Sequence, residues 1–184
     1  MDCIKCKAKT CRTAVACKAG KFDENQVLTE YTRTENQEIV QAAAKLVDNG
    51  RAGTLSRLQE IVEFANEMNY GKIGLAYCYG MENEAMLITN ILRNKNLKVV
   101  PVSCTAGGLS QKEVNAKSQI ENVSCNPISQ ALQLNHEKVD LTLSMGLCLG
   151  HDILFNRYIQ SDVTTLVVKD RVHNHSPLKE LKTK

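Results

Sequence analysis

The stretch KIGLAYCYGMENEAMLITNILRNKNLKVVPVSC, residues 72–104, decides the fold class. Its two ends, 72–78 and 97–104, are short apolar runs that predict strands. The segment 80–96 between them predicts a helix, and its acidic first turn suits the helix dipole. A strand, a helix and a second strand in this order are typical of a parallel β-α-β unit.

The alternation of strands and helices continues along the chain. It predicts further strands over 141–148 and 163–170, and helices over 36–50, 54–71, 126–140 and 151–159. With right-handed crossovers, this pattern predicts an α/β fold. The expected core is a Rossmann-like parallel sheet of about four strands, in the order 2-1-3-4, covered by helices. We expect two domains, a cysteine-rich metal knuckle over 1–21 and the α/β domain over 22–184.

The segment LTLSMGLCLGHD, residues 141–152, carries most of the candidate chemistry. Its pattern predicts a strand that ends at Cys148, a turn at Gly150 and a helix that starts at His151 and Asp152. We interpret Cys148 and His151 as candidate catalytic residues, a thiol and a proton carrier. Asp152 would either orient His151 or cap the helix.

Three cysteines share one pattern. Cys78, Cys104 and Cys148 each end a predicted strand, and glycine follows closely in CYG, CTAGG and CLG. Cys125 directly precedes Asn126, the predicted N-cap of a helix. The carboxyl ends of parallel strands share one edge of a sheet, where ligands bind at the switch point of strand order.

We therefore predict a cysteine crevice formed by Cys78, Cys104, Cys125 and Cys148. These thiols would hold a cofactor, either an iron–sulfur cluster or another metal centre. The alternative for any one of them is that it packs as a small apolar residue.

Four more cysteines lie within the first seventeen residues. Cys3, Cys6, Cys11 and Cys17 have the spacing C-x2-C-x4-C-x5-C. Four thiolates can close around one metal centre, and both zinc and an iron–sulfur cluster accept four sulfurs in a tetrahedral arrangement. The sequence predicts a metal site here and leaves the choice between the two open.

The composition indicates where in the cell the protein is expected and which partners are not expected. The chain has 184 residues, eight cysteines and a net charge of +3, with neither an apolar signal region nor a run long enough for a membrane span. These features predict a cytoplasmic protein, in which cysteines serve metal or redox chemistry more often than structural disulfides. Residues 1–21 hold six Lys and Arg against one Asp but no aromatic side chain, which argues against nucleic acid as a partner.

The segment 105–124 is polar and fits neither a strand nor a long helix. It predicts at most one short helix. A connection of this length inside a compact domain is either a functional lid or a mobile surface excursion.

The motifs CIKC with two further cysteines, CNP, GLCLGHD and TTLVVKDR together resemble those of the domain of unknown function 1847 family. The resemblance covers nearly the whole chain. It implies a small, cysteine-rich metal-binding protein in which Cys3, Cys6, Cys11 and Cys17 form a zinc-type site. It assigns no role to the cysteine crevice.

Three functions remain open at this point. One is a metalloprotein with two cysteine sites that performs redox or sulfur chemistry on a small molecule, or exchanges electrons with a partner. The second is a thiol redox enzyme in which Cys148 is the nucleophile. The third is a non-enzymatic zinc-binding adaptor. The sequence defines neither the substrate nor the oligomeric state, and it does not decide whether the protein is an enzyme.

Overall fold

The computed structural model describes residues 2–17 and 20–182, which divide into the compact units Met1–Ala44 and Lys45–Lys184. The first unit contains a short 3-10 turn at Thr10–Thr13, helix α1 at Glu24–Tyr31 and most of helix α2 at Thr34–Lys45. Asp23 caps α1 by accepting the Asn25 N–H, a start signal that the sequence analysis missed. The domain boundary predicted after residue 21 stays a prediction.

The second unit is an α/β fold with a parallel four-stranded sheet, in the order β2-β1-β3-β4. This confirms both the predicted fold class and the predicted strand order. The strands are β1 Lys72–Tyr77, β2 Lys98–Ser103, β3 Leu141–Met145 and β4 Asp162–Val167; the helices are α3 Arg57–Glu67, α4 Glu82–Arg93, α5 Gln111–Val114, α6 Pro127–His136 and α7 Leu149–Tyr158. No helix in the described part of the chain is long and apolar enough to cross a membrane.

Strand β1 divides the core into two clusters because successive side chains point to opposite faces of a sheet. Ile73 and Leu75 are fully buried in the cluster that includes side chains of α3 and α4. Ala76 and Cys78 belong to the opposite cluster, which includes side chains of α6 and α7. Cys78 therefore lies on the same side of the sheet as Ala76, the side that packs against α6 and α7.

The segment after β3 differs from its prediction. The strand ends at Met145 rather than Cys148, and the chain turns at Gly146, whose φ is +64°. Cys148 is the N-cap of α7, which begins at Leu149. Gly150 therefore lies inside the helix rather than in a turn, because Gly146 is the residue whose left-handed φ the turn requires.

The 105–124 excursion is a closed loop with one short helix, α5, as predicted. Ser110 caps α5 and pairs with Val123 in an isolated antiparallel bridge. The Asn126 N–H donates a hydrogen bond of 2.6 Å to the Cys104 carbonyl, and the Ser124 N–H donates one of 2.7 Å to Leu109. The two ends of the excursion therefore lie side by side at the end of β2.

Candidate functional site

The carboxyl edge of the sheet brings the four crevice cysteines together from separate parts of the chain. Cys78 directly follows β1, Cys104 directly follows β2, and Cys148 caps α7 just after β3. Cys125 precedes the N-cap of α6, which is Asn126 with Pro127 in the first helical turn, as predicted. The predicted convergence at the switch point between β1 and β3 is therefore observed in the strand order.

Cys78 is paired with a cation. It is 5% exposed, and Lys169 Nζ donates a hydrogen bond of 2.7 Å to its Sγ. Burial by itself raises the pKa of the Cys78 thiol, but the hydrogen bond and charge of Lys169, together with the Gly80 N–H, lower it below the ordinary value. The geometry thus favours a thiolate at Cys78.

Cys104 has the opposite environment. It is 3% exposed, and its Sγ lies 3.6 Å from Cys125 Sγ and 3.4 Å from the Tyr79 N–H, which donates to it. Burial is the largest cause that raises the pKa of the Cys104 thiol to about 12; the Tyr79 N–H lowers this pKa, and the neighbouring Cys125 and Cys78 sulfurs raise it. Cys104 is therefore a protonated thiol at neutral pH, between two other sulfurs.

Cys148 is half-buried and lies close to two cationic side chains. Arg171 Nη2 is 3.5 Å from Cys148 Sγ, and Lys169 Nζ is 4.0 Å from it. Its position at the N-cap of α7 also faces the positive end of the helix dipole. Cys148 Sγ therefore lies at the N-terminus of a helix and close to two cationic side chains.

Lys169 and Arg171 were not among the predicted site residues. They follow β4, whose carboxyl end must lie at the same edge as those of the other strands. Asp170 between them anchors the turn, because its carboxylate accepts the Val172 and His173 N–H groups at 3.0 Å. The signal that would have identified them is the basic pair at the end of a strand whose position the topology already fixed.

Gln130 is a further residue near the crevice that was not predicted from the sequence. It lies on α6, is fully buried, and its Nε2 donates to the Tyr77 carbonyl at 3.1 Å and to the Val102 carbonyl at 2.6 Å. It thereby fixes the ends of β1 and β2 just before Cys78 and Cys104. A buried glutamine on a helix carries no periodic signal that distinguishes it from a surface one.

His151 lies in the first turn of α7 and is half-buried. Burial lowers the pKa of its imidazole, and the charge of Lys169 lowers it further. His151 is therefore neutral at neutral pH and able to accept a proton. Asp152 does not cap the helix, whose N-cap is Cys148. Its Oδ1 instead accepts hydrogen bonds from Ser144 Oγ at 2.9 Å and from Asn156 Nδ2 at 3.3 Å.

A cavity of about 100 Å³ opens between β3, α7 and β4. Lys169 and Asp152 contribute charged groups to its wall, and Leu147 and Leu149 are the chain neighbours of Cys148. The cavity therefore lies next to the half-buried thiol, with space for the end of a small molecule.

The N-terminal cysteines belong to the first unit. Cys3, Cys6 and Cys11 are exposed and Cys17 is half-buried, and all are free thiols. Across residues 2–17 and 20–182, no group of three or more His, Cys, Asp and Glu side chains is arranged to hold a metal ion. Metal binding, at these cysteines as in the cysteine crevice, stays a prediction.

Comparison with known proteins places the chain in a family. Residues 11–166 match the family described as "Protein of unknown function (DUF1847)". The chain belongs to this family, as the motifs suggested. It is also similar to "Uncharacterized protein MJ0455" of Methanocaldococcus jannaschii, with 39% identity over 189 residues that cover 100% of this chain and 95% of the relative. No solved structure gives a significant match.

Proposed function

We propose that the DUF1847 chain is a thiol redox protein that reduces small disulfides with the pair Cys148 and Cys78. The observation that carries this proposal is the position of Lys169. Its ammonium group contacts two sulfurs from neighbouring strand ends, 2.7 Å from Cys78 Sγ and 4.0 Å from Cys148 Sγ. The two sulfurs are therefore less than about 7 Å apart, and a bond between them requires movement of their side chains.

The two thiols have distinct roles in the proposal. Cys148 is half-buried, caps α7 and adjoins the cavity, so it is the sulfur that meets a substrate. Cys78 is buried, and its lowered pKa favours the thiolate form, which attacks a neighbouring sulfur. His151, neutral at neutral pH, takes the proton from the Cys148 thiol.

The reaction consists of two exchanges. The Cys148 thiolate attacks one sulfur of the substrate, the substrate S–S bond breaks, and the first product thiolate takes the proton from His151. The Cys78 thiolate then attacks Cys148 Sγ, which forms a Cys78–Cys148 disulfide and releases the second product thiolate, protonated by solvent. The protein loses two electrons and the substrate gains them. A dithiol reductant returns the protein to its starting state.

The experiment uses the full chain, reduced and kept anaerobic, with hydroxyethyl disulfide as substrate and a dithiol reductant. Cleavage by trypsin places Cys78 in peptide 73–93 and Cys148 in peptide 139–157, so mass spectrometry identifies the bond between them. We expect this linkage after one turnover. Cys148→Ser should lower the steady-state rate at least about a hundredfold, whereas Cys78→Ser should trap the substrate on Cys148.

The matched control is Cys17→Ser, which removes a thiol outside the crevice and should leave the rate unchanged. A substrate adduct on Cys125 or Cys104 in place of Cys148, or full activity in Cys148→Ser, would overturn the proposal. Circular dichroism of each variant separates loss of the thiol from loss of the fold.

A second candidate function is a metal centre in the same crevice. It is favoured by the N–H donors aimed at sulfur, from Tyr79 to Cys104 and from Lys169 to Cys78, because such bonds stabilise metal thiolates as well as free thiolates. The 3.6 Å between Cys104 and Cys125 sulfurs is also close to the edge of a zinc–thiolate tetrahedron, about 3.8 Å for a Zn–S bond of about 2.3 Å.

Cobalt titration tests this second function. Thiolate-to-cobalt absorption that disappears in Cys78→Ser and Cys104→Ser would support a crevice metal, and absorption that both variants retain would exclude it. Loss in Cys3→Ser and Cys6→Ser alone would assign the metal to the N-terminal cysteines. Zinc or an iron–sulfur cluster at those four residues remains our proposal there, supported by their spacing and by the six basic residues around them.

A further inference from the structure

We propose that Cys104 and Cys125 form a second, separate disulfide on oxidation, one that closes the 105–124 excursion into a covalent loop. This pair is distinct from the Cys148 and Cys78 pair, and its formation does not depend on disulfide reduction by the latter. The cysteine crevice would then contain a pair of cysteines that responds to the redox state, Cys104 and Cys125, in addition to the pair that performs sulfur exchange.

The geometry already holds the two sulfurs at contact. Their separation is 3.6 Å in the reduced chain. The backbone around them is tied independently, since the Asn126 N–H donates to the Cys104 carbonyl at 2.6 Å. Ser124 is also fixed, through its N–H to the Leu109 carbonyl. Formation of the disulfide therefore needs rotation of two side chains and little movement of the backbone.

The two thiols differ in a way that sets the order of events. Cys125 is half-buried, whereas Cys104 is buried and protonated, so an oxidant reaches Cys125 first. The Cys125 thiolate attacks a small disulfide, forms a mixed disulfide and releases one thiol. Cys104 then loses its proton to solvent and attacks Cys125 Sγ, which releases the second thiol. The protein is oxidised by two electrons and the small disulfide is reduced.

The disulfide would change both the excursion and the neighbouring thiolate. It would join the ends of the excursion through a covalent bond, so that opening of the Asn126–Cys104 hydrogen bond no longer releases the loop. It would also remove the Cys104 thiol, whose contact is among the causes that lower the Cys78 pKa. Oxidation of the pair would thus raise the Cys78 pKa.

The test oxidises the full wild-type chain with a small disulfide, oxidised glutathione, blocks the remaining thiols and maps the linkages. Trypsin places Cys104 in peptide 99–112 and Cys125 in peptide 118–138, apart from the peptides of Cys78 and Cys148. We expect the linked pair 99–112 and 118–138 to exceed every other linkage of Cys104. A dominant link between 73–93 and 99–112, or glutathione on Cys125 with no further reaction, would overturn the proposal.

A second readout does not depend on mass mapping. In a Cys148→Ser chain, native trypsin should cleave after the exposed Lys112 or Lys117 inside the excursion. If Cys104 and Cys125 are joined, the two fragments stay together on a denaturing non-reducing gel and separate on reduction. Adding Cys125→Ser should separate them without reduction. Since a Cys78–Cys148 bond gives a different peptide pair, failure of this inference is distinguishable from failure of the proposed function.

Discussion

The four thiols of the cysteine crevice differ because each meets a different neighbour. Cys78 faces the Lys169 ammonium group at 2.7 Å, and its pKa lies below the ordinary value. Cys104 is buried next to two other sulfurs, and its pKa lies at about 12. Two thiols at one sheet edge therefore have pKa values shifted in opposite directions by their neighbours.

The raised pKa of Cys104 predicts a loss of stability at alkaline pH. In the unfolded chain this thiol ionises near its ordinary value of 9.0, whereas in the folded chain it keeps its proton up to about 12. The unfolded state then binds fewer protons, so the free energy of unfolding falls as pH rises. We expect a slope of about 1.4 kcal/mol per pH unit from this residue.

Urea unfolding at a series of pH values between 9.0 and about 12 measures this slope. The slope should be smaller by that amount in Cys104→Ala, which also loses packing at every pH. Other groups that titrate in this window contribute equally to both proteins. Equal slopes in the two proteins would show that Cys104 ionises normally in the folded state.

At the scale of single elements, the turns decide where the crevice residues lie. The apolar runs of residues 72–104 predicted β1, α4 and β2 because their periodicity reflects burial directly. The end of β3 was misplaced by three residues, since LTLSMGLC is apolar throughout and periodicity does not mark a stop inside it. Gly146 supplies that stop. The sequence pattern predicted the turn at Gly150, because both residues are glycines in a similar local context.

Gly146 combines a left-handed backbone with a tight contact. A Cβ at this position would overlap Met81 Sδ, and the φ of +64° is unfavourable for any L side chain. Gly146→Ala should therefore lower the free energy of unfolding by about 1–2 kcal/mol for the backbone, plus about 1–3 kcal/mol for overpacking.

Gly53→Ala provides the matched control in urea unfolding. Gly53 has a φ of +78°, but a Cβ there meets no atom within 4 Å. It should show the backbone cost alone. If the two variants are equally destabilised, the Met81 side chain accommodates the added Cβ at no measurable cost.

At the scale of the whole molecule, the strand order explains why distant residues meet. The alternation of strands and helices predicts the order 2-1-3-4, which the structure confirms and which places Cys78, Cys104 and Cys148 at one edge. The same reasoning could have included Lys169 and Arg171, which follow β4. The contacts that distinguish Cys78 from Cys104 could not be predicted, because side-chain packing at the edge depends on the 105–124 excursion and on α6.

The most direct measurement of the central claim is the ionisation of Cys78. The thiolate absorbs in the ultraviolet, so the difference in absorbance between the wild type and Cys78→Ala, followed against pH, reports this thiol without a reagent that must enter the crevice. We expect a midpoint below the ordinary value of 9.0, because Lys169 donates to the sulfur.

Lys169→Met, compared with Lys169→Met carrying Cys78→Ala, should move the midpoint upward. Lys98→Met, which removes an exposed lysine at the start of β2, should leave it in place. A low midpoint that rises only when Lys169 is replaced would support the thiolate site at the sheet edge. A wild-type midpoint at or above 9.0, or one that Lys169→Met does not move, would contradict it.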